Sequence, residues 1–151
     1  MKKLIIIILL TTIYGCGYTS VYKNQNETDL FINVVDSNGD FELNNFIRNE
    51  LKIASNVNST KKYNISYETK YEKIILAKDA TGTATDYRLD MNVKFQIVSK
   101  NNNEINFSDN FKIKNTSENF EQSNYERDIK RNFSKAAKDE LIRSLIRIND
   151  N

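Results

Sequence analysis

The strongest constraint on the fold is a strict alternation of apolar and polar residues between Thr83 and Ile97. Every second position from Tyr87 onward is apolar, and the positions between them carry charges or amides. Side chains of a β-strand point alternately to the two faces of its sheet, so the pattern predicts a strand with one buried and one solvated face. Such a strand needs neighbouring strands and a covering layer to bury its apolar side.

The segments on either side predict two more strands of the same kind. Their apolar positions are Tyr63, Ile65, Tyr67, Tyr71 and Ile75 before the central strand, and Ile105, Phe107, Phe111 and Ile113 after it. The connecting loops, Lys78–Gly82 and Ser99–Asn103, are short enough for hairpins. A three-stranded meander is therefore predicted. Asp109 is the one acid on its apolar face, and we expect it to lie in a bulge or at a strand end and not to act as a catalytic acid.

Loop length and face alternation together predict the strand register. Pairing Ala77 with Thr83 and Val98 with Glu104 makes the apolar face continuous across three strands. On the polar face the same pairing aligns opposite charges, namely Glu72 with Arg88, Lys70 with Asp90, and Asp90 with Lys112.

The rest of the domain predicts one further strand and two helices. Leu30–Val35 reads as a strand ended by a turn cluster at Asp36–Gly39, and an amphipathic helix follows from Asp40 to Ala54. The segment Ser123–Glu126 resembles a capping box and opens a helix that continues to Ile148. The expected fold is α+β, in the order β-α-β-β-β-α, with two helices packed on one face of a four-stranded mixed sheet.

The N-terminus has the layout of a lipoprotein signal. Two lysines precede the apolar run Leu4–Leu10, and Ile13, Gly15 and Cys16 fit the lipobox that ends such signals. We expect residues 1–15 to be removed, Cys16 to carry lipid, residues 16–29 to form a tether, and 30–151 to form a single domain. The bulky Tyr14 leaves open how efficiently the signal is cleaved.

Two other interpretations of this N-terminus were weighed. A transmembrane anchor needs roughly 20 apolar residues, which the run does not supply. A buried helix would leave Lys2, Lys3 and Cys16 unexplained. Gly17 stands where an aspartate would retain a lipoprotein at the inner membrane, so the outer membrane, periplasmic side, is expected if a Gram-negative sorting rule applies.

Composition excludes several function classes. The chain has no histidine, so Ser-His-Asp catalysis and imidazole metal sites are ruled out, and no convergent carboxylate pair stands out. The chain has 22 cationic residues; two of them lie in residues 1–15, which leaves 20 against 20 acids. We therefore expect no enzymatic activity, no metal or cofactor, and no nucleic-acid partner.

Three stretches and the element order together resemble the LPS-assembly lipoprotein LptE family, particularly its alphaproteobacterial members. The stretches are CGYTSVY, KDATGTATDYRLDMNVKFQIV and ERDIKRNFSKAAKDELIRSLI. The resemblance implies an outer-membrane lipoprotein that sits inside the LptD-type β-barrel, supports assembly of that barrel and contacts lipopolysaccharide through basic residues. The alternative is a free-standing, periplasm-facing lipoprotein that binds lipid or an envelope protein.

The candidate anion or LPS contacts lie on the polar face of the sheet. They are Arg88, Lys94, Lys112 and Lys114, and in the predicted register Arg88 lies opposite Lys114. Like charges opposite one another are unfavourable, so a lipid phosphate between them is one interpretation. The other is an ordinary solvated face on which Glu72 neutralises Arg88.

Overall fold

The computed structural model describes residues 29–98, 103–116 and 118–149. The predicted signal, Cys16 and all of the tether except Asp29 lie outside these residues. The predicted element order is confirmed, with β1 at Phe31–Gly39, α1 at Phe41–Ala54, β2 at Lys62–Lys78, β3 at Ala84–Ile97, β4 at Glu104–Lys114 and α2 at Asn119–Asn149.

The four strands form one mixed sheet in the order β1-β2-β3-β4. β1 runs parallel to β2, while β2, β3 and β4 form the predicted antiparallel meander. Both helices pack on the apolar face, which confirms the α+β prediction. The opposite side of β2, β3 and β4 is the polar face discussed below.

The core lies between the sheet and the helices. Its fully buried side chains come from α1, from α2 and from the inward positions of the strands, and include Leu43, Ile47, Leu51, Ile65, Leu89, Val93, Phe95, Phe133, Leu141 and Leu145. The rings of Phe107 and Phe133 lie 5.2 Å apart and join α2 to β4. The helices are therefore stabilised chiefly by burying their apolar stripes on the sheet.

β1 is longer than predicted, because the turn cluster Asp36–Gly39 belongs to the strand. A bulge at Val35 shifts the register, after which Asp36 pairs with Ser66 and Gly39 with Thr69. Parallel pairing with β2 holds Asp36, Ser37 and Asn38 in the strand, against their local preference for turns. The chain then turns at Asp40, whose carboxylate caps α1 by accepting a 2.8 Å hydrogen bond from the Leu43 amide.

The register of the meander differs from the prediction by two residues at both hairpins. At the first hairpin Lys78 pairs with Ala84, whereas the prediction paired Ala77 with Thr83. At the second hairpin Glu104 pairs with Gln96, whereas the prediction paired it with Val98. The first hairpin is closed by its turn, in which the Asp79 carboxylate accepts hydrogen bonds from the amides of Thr81 and Thr83. A shift of two leaves every side chain on its predicted face but changes every cross-strand partner.

The predicted capping box is wrong. α2 begins at Asn119, so Ser123 lies inside the helix and Glu126 reaches toward the sheet. Asp109 is neither in a bulge nor at a strand end, because it pairs regularly with Met91. Its side chain is exposed and accepts a hydrogen bond from the Asn110 amide.

Candidate functional site

The polar face carries a concavity of about 510 Å³. It is open to solvent and lies across β2, β3 and β4. Its lining residues are Lys70, Glu72, Arg88, Asp90, Met91, Asn92, Ser108, Asp109, Asn110 and Lys112. Three cations and three acids contribute, so the concavity is formally neutral and rich in hydrogen-bonding groups.

The observed register replaces the predicted charge pairs of this face. Arg88 lies opposite Lys112 instead of Lys114, and Glu72 lies opposite Asp90 instead of Arg88. Lys70 faces Asn92, and Asp90 faces Asn110. The prediction that Glu72 neutralises Arg88 across the strands is therefore wrong.

Arg88 is neutralised from within its own strand. Its Nε donates hydrogen bonds of 2.8 and 3.1 Å to the two carboxylate oxygens of Asp90, two residues along β3 and on the same face. Both side chains are about one-third exposed, so this ion pair stabilises the fold only modestly. It also orients the guanidinium along the strand, beside Lys112.

Lys112 and Lys114 are the least engaged of the four predicted cations. Both side chains are exposed, and neither has an ion-pair partner in the described part of the chain. They lie two residues apart on β4 and therefore share the polar face with Arg88. Three of the predicted residues thus come together at one end of the face.

Lys94 lies apart from this cluster. It is six residues from Arg88 along β3, or about 20 Å. Its ammonium pairs with Glu104 at 2.9 Å. The hydrogen bond from Lys94 is the main cause of the lowered pKa of Glu104, to which Gln96 also donates.

Sequence reasoning missed a polar network on the helix-covered side. Glu126 of α2 accepts hydrogen bonds from Tyr71, Lys73 and Gln122. Burial acts to raise the pKa of Glu126, but the hydrogen bonds from Lys73 and Gln122 outweigh it and lower that pKa. Burial is also the main cause of the raised pKa of Tyr71.

Lys130 joins α2 to the start of α1. This nearly buried ammonium lies 3.0 Å from Glu42 and 3.6 Å from Asp40, and 3.9 Å from the ring centre of Tyr71. Glu42 and Lys130 are 88 residues apart, so no local pattern reveals the contact. The only available signal was a lysine on the apolar stripe of α2, next to Ile129. The network ties α2 to the start of α1 and to β2.

Within residues 29–98, 103–116 and 118–149, no group of three or more potential metal-ligating acids or thiols comes together. None of the helices in those ranges is both long and apolar enough to cross a bilayer.

The two-layer α+β fold, with one helix-covered and one polar sheet face, is shared with two solved structures of bacterial lipoproteins. The family model for LptE, lipopolysaccharide-assembly, matches residues 22–147 of this chain. The chain belongs to the LptE lipopolysaccharide-assembly family. Membership makes it an envelope lipoprotein of a non-enzymatic family with a role in LPS assembly.

Solved structures support the same fold. The rare lipoprotein B of Shewanella oneidensis is 16% identical, with a TM-score of 0.59, over 81% of this chain and 96% of that one. A putative lipoprotein of Caulobacter crescentus is 13% identical, with a TM-score of 0.51, over 76% of this chain and 86% of that one. No individually curated protein matches the chain.

Proposed function

We propose that this protein is the outer-membrane lipoprotein subunit of an LPS translocon, in which it supports assembly of an LptD-type β-barrel and insertion of LPS at the cell surface. The observation that carries the proposal is the family match over residues 22–147. The polar, formally neutral concavity supports it, because the interior wall of a large outer-membrane barrel is polar too.

The proposal assigns residues 1–15 to a signal peptide, residues 16–29 to a lipidated tether and residues 30–151 to the domain. Acyl chains on Cys16 bind the membrane through their apolar area, and two or more chains give a stable anchor. Mass spectrometry of the mature protein should find an acylated Cys16 as its first residue. An unmodified chain beginning at Met1 would refute the anchoring.

The cations of the polar face are the proposed LPS contacts. Lys112 and Lys114 project from β4 with no carboxylate partner in the described ranges, and Arg88 lies directly across from Lys112. Cations at this spacing suit a phosphate group, whose oxygens accept charge-assisted hydrogen bonds. Lys94 is the weaker candidate because Glu104 already holds its ammonium.

LPS binding by purified protein tests this assignment. Lys112→Gln should weaken binding about tenfold, as expected for one lost charge-assisted hydrogen bond. Lys135→Gln, an exposed lysine on α2, serves as the matched control and should leave binding unchanged. Equal affinities for the two variants would remove the polar face from the proposal.

Depletion in cells tests the function as a whole. Loss of the protein should leave the barrel partner misassembled and LPS retained in the periplasm, and solubilised membranes should yield a complex of the two proteins. Normal barrel levels and normal surface LPS after depletion would refute the proposal and favour a free-standing lipoprotein that binds lipid or an envelope protein.

A further inference from the structure

A second concavity lies on the side of the domain away from the polar concavity. The groove runs between β1 and α1 and has a volume of about 430 Å³. It is lined by Phe31, Ile32, Val34, Arg48, Lys52, Ser55 and Val57, and we call it the β1–α1 groove. Most of its lining is apolar, which distinguishes it from the concavity on the polar face.

No element of the described chain covers this groove. β1 is an edge strand, so no strand lies on its outer side. Val57, which lines the groove from the turn after α1, is 77% exposed. Val35 on the β1 bulge, outside the lining, is 59% exposed. Exposed apolar side chains beside an open groove mark a surface that contacts something else.

The charged residues that line the groove have one sign. Arg48 and Lys52 are one helical turn apart on α1 and are its charged lining residues. Glu50 lies about 200° around the helix from each of them, and so on the opposite flank. Lys62 adds a cation at the mouth, 5.9 Å from the centre of the Phe31 ring. The groove therefore suits an occupant that is apolar and anionic together.

The groove also lies where the chain enters the domain. The described residues begin at Asp29, and Phe31 already lines the groove. Fifteen Cα–Cα steps separate Cys16 from Phe31, which at full extension span at most about 50 Å. A lipid on Cys16 would therefore keep this side of the domain within reach of the membrane surface.

We propose that the β1–α1 groove docks on the anionic phospholipid surface to which the chain is anchored. Apolar side chains enter the boundary between headgroups and acyl chains, while Arg48 and Lys52 contact lipid phosphates. The inference rests on the proposed anchoring at Cys16.

Vesicle binding by the mature chain with Cys16→Ser tests the groove without the lipid. The protein should bind vesicles that contain phosphatidylglycerol more tightly than vesicles of phosphatidylcholine. Arg48→Glu with Lys52→Glu should lower the partition coefficient at least about tenfold. The matched control, Lys78→Glu with Lys135→Glu, makes the same charge change at two exposed lysines outside the groove and should lower it less than about threefold.

Folding of the variants is checked by thermal melting. Arg48 donates a hydrogen bond to Ser37, so its replacement can also affect folding. Lys52 has no hydrogen-bond or ion-pair partner among the described residues, so Lys52→Glu alone is the second variant. Equal losses of vesicle binding for the groove pair and the control pair, or no preference for anionic vesicles, would overturn the proposal.

Hydrogen exchange along β1 distinguishes a groove that binds lipid from a groove that is covered by the chain itself. If the chain's own residues 17–28 cover the groove, the outer amides of β1 are protected before vesicles are added, and that result also overturns the proposal. An acylated Cys16 together with absent vesicle binding would refute only this inference. An unmodified Cys16 would refute the anchoring itself.

Discussion

Of the two glycines in the described ranges, Gly39 is the one at which an added methyl group should lower the free energy of unfolding more. Its φ is +105°, a conformation that L side chains rarely adopt, and an added Cβ would lie 1.9 Å from the Thr69 carbonyl oxygen. That overlap involves backbone on both sides, so it can be relieved only by moving β1 away from β2. The movement would disturb the Thr69 hydroxyl, which donates to Asn44 Oδ1 at 2.8 Å.

Gly82 provides a matched control for Gly39→Ala. Its φ is +87°, but an added Cβ would have no atom within 4 Å. The left-handed backbone costs an alanine about 1–2 kcal/mol at either site, and lower entropy of the unfolded chain offsets about 0.4–1 kcal/mol of this. Gly82→Ala should therefore cost about 1 kcal/mol.

Gly39→Ala adds overpacking of about 1–3 kcal/mol and the loss of a buried hydrogen bond worth about 1 kcal/mol. We expect a total loss of about 4 kcal/mol, or about 15 °C in Tm for a domain of this size. Urea denaturation should show a lowered midpoint with an unchanged slope. Losses for Gly39→Ala and Gly82→Ala that agree within about 0.5 kcal/mol would refute the close approach of β1 to β2.

Three further predictions concern charged groups. Lys130→Met keeps the apolar stem but removes both ion pairs and the contact with the Tyr71 ring. We expect the free energy of unfolding to fall by about 2 kcal/mol. A fall of less than about 0.5 kcal/mol would contradict the observed packing of Lys130. Glu126→Gln should destabilise the protein at neutral pH. Because folding lowers the pKa of Glu126, the ionised carboxylate stabilises the fold above the ordinary glutamate pKa, and this stabilisation is lost as pH falls through the lowered folded pKa. Unfolding curves of the variant and the wild type should therefore converge in acid. Glu72→Lys should stabilise the protein by about 0.5 kcal/mol, because it replaces a like-charge pair with Asp90 by an opposite-charge pair. The register predicted from sequence places Glu72 opposite Arg88 and therefore requires a loss of stability.

Much of the fold could be predicted because it rests on local signals. Alternation identified three strands and their buried faces, and the spacing of apolar residues identified α1 nearly to the residue. The start of α2 could not be predicted from the Ser123–Glu126 pattern, because Glu126 is held by Tyr71 and Lys73 from β2. Long-range partners decided that side chain.

The candidate site was predictable only in part. The prediction placed four cations on the polar face, and three of them lie together, but Lys94 is paired elsewhere with Glu104. The partner of Arg88 was missed because Asp90 lies on the same strand and was assigned to a different pair. The Lys130 network was missed because its partners come from three separate elements.

Which residues face the helices and which face solvent follows from the amino-acid sequence alone, because side-chain direction in a strand has a period of two. Which residues are neighbours across strands depends on how the strands pair in the folded domain. A register shift of two preserves every face, so the hydrophobic pattern cannot distinguish one such register from the next. The turn held by Asp79, and the parallel pairing that brings Gly39 against Thr69, make that choice.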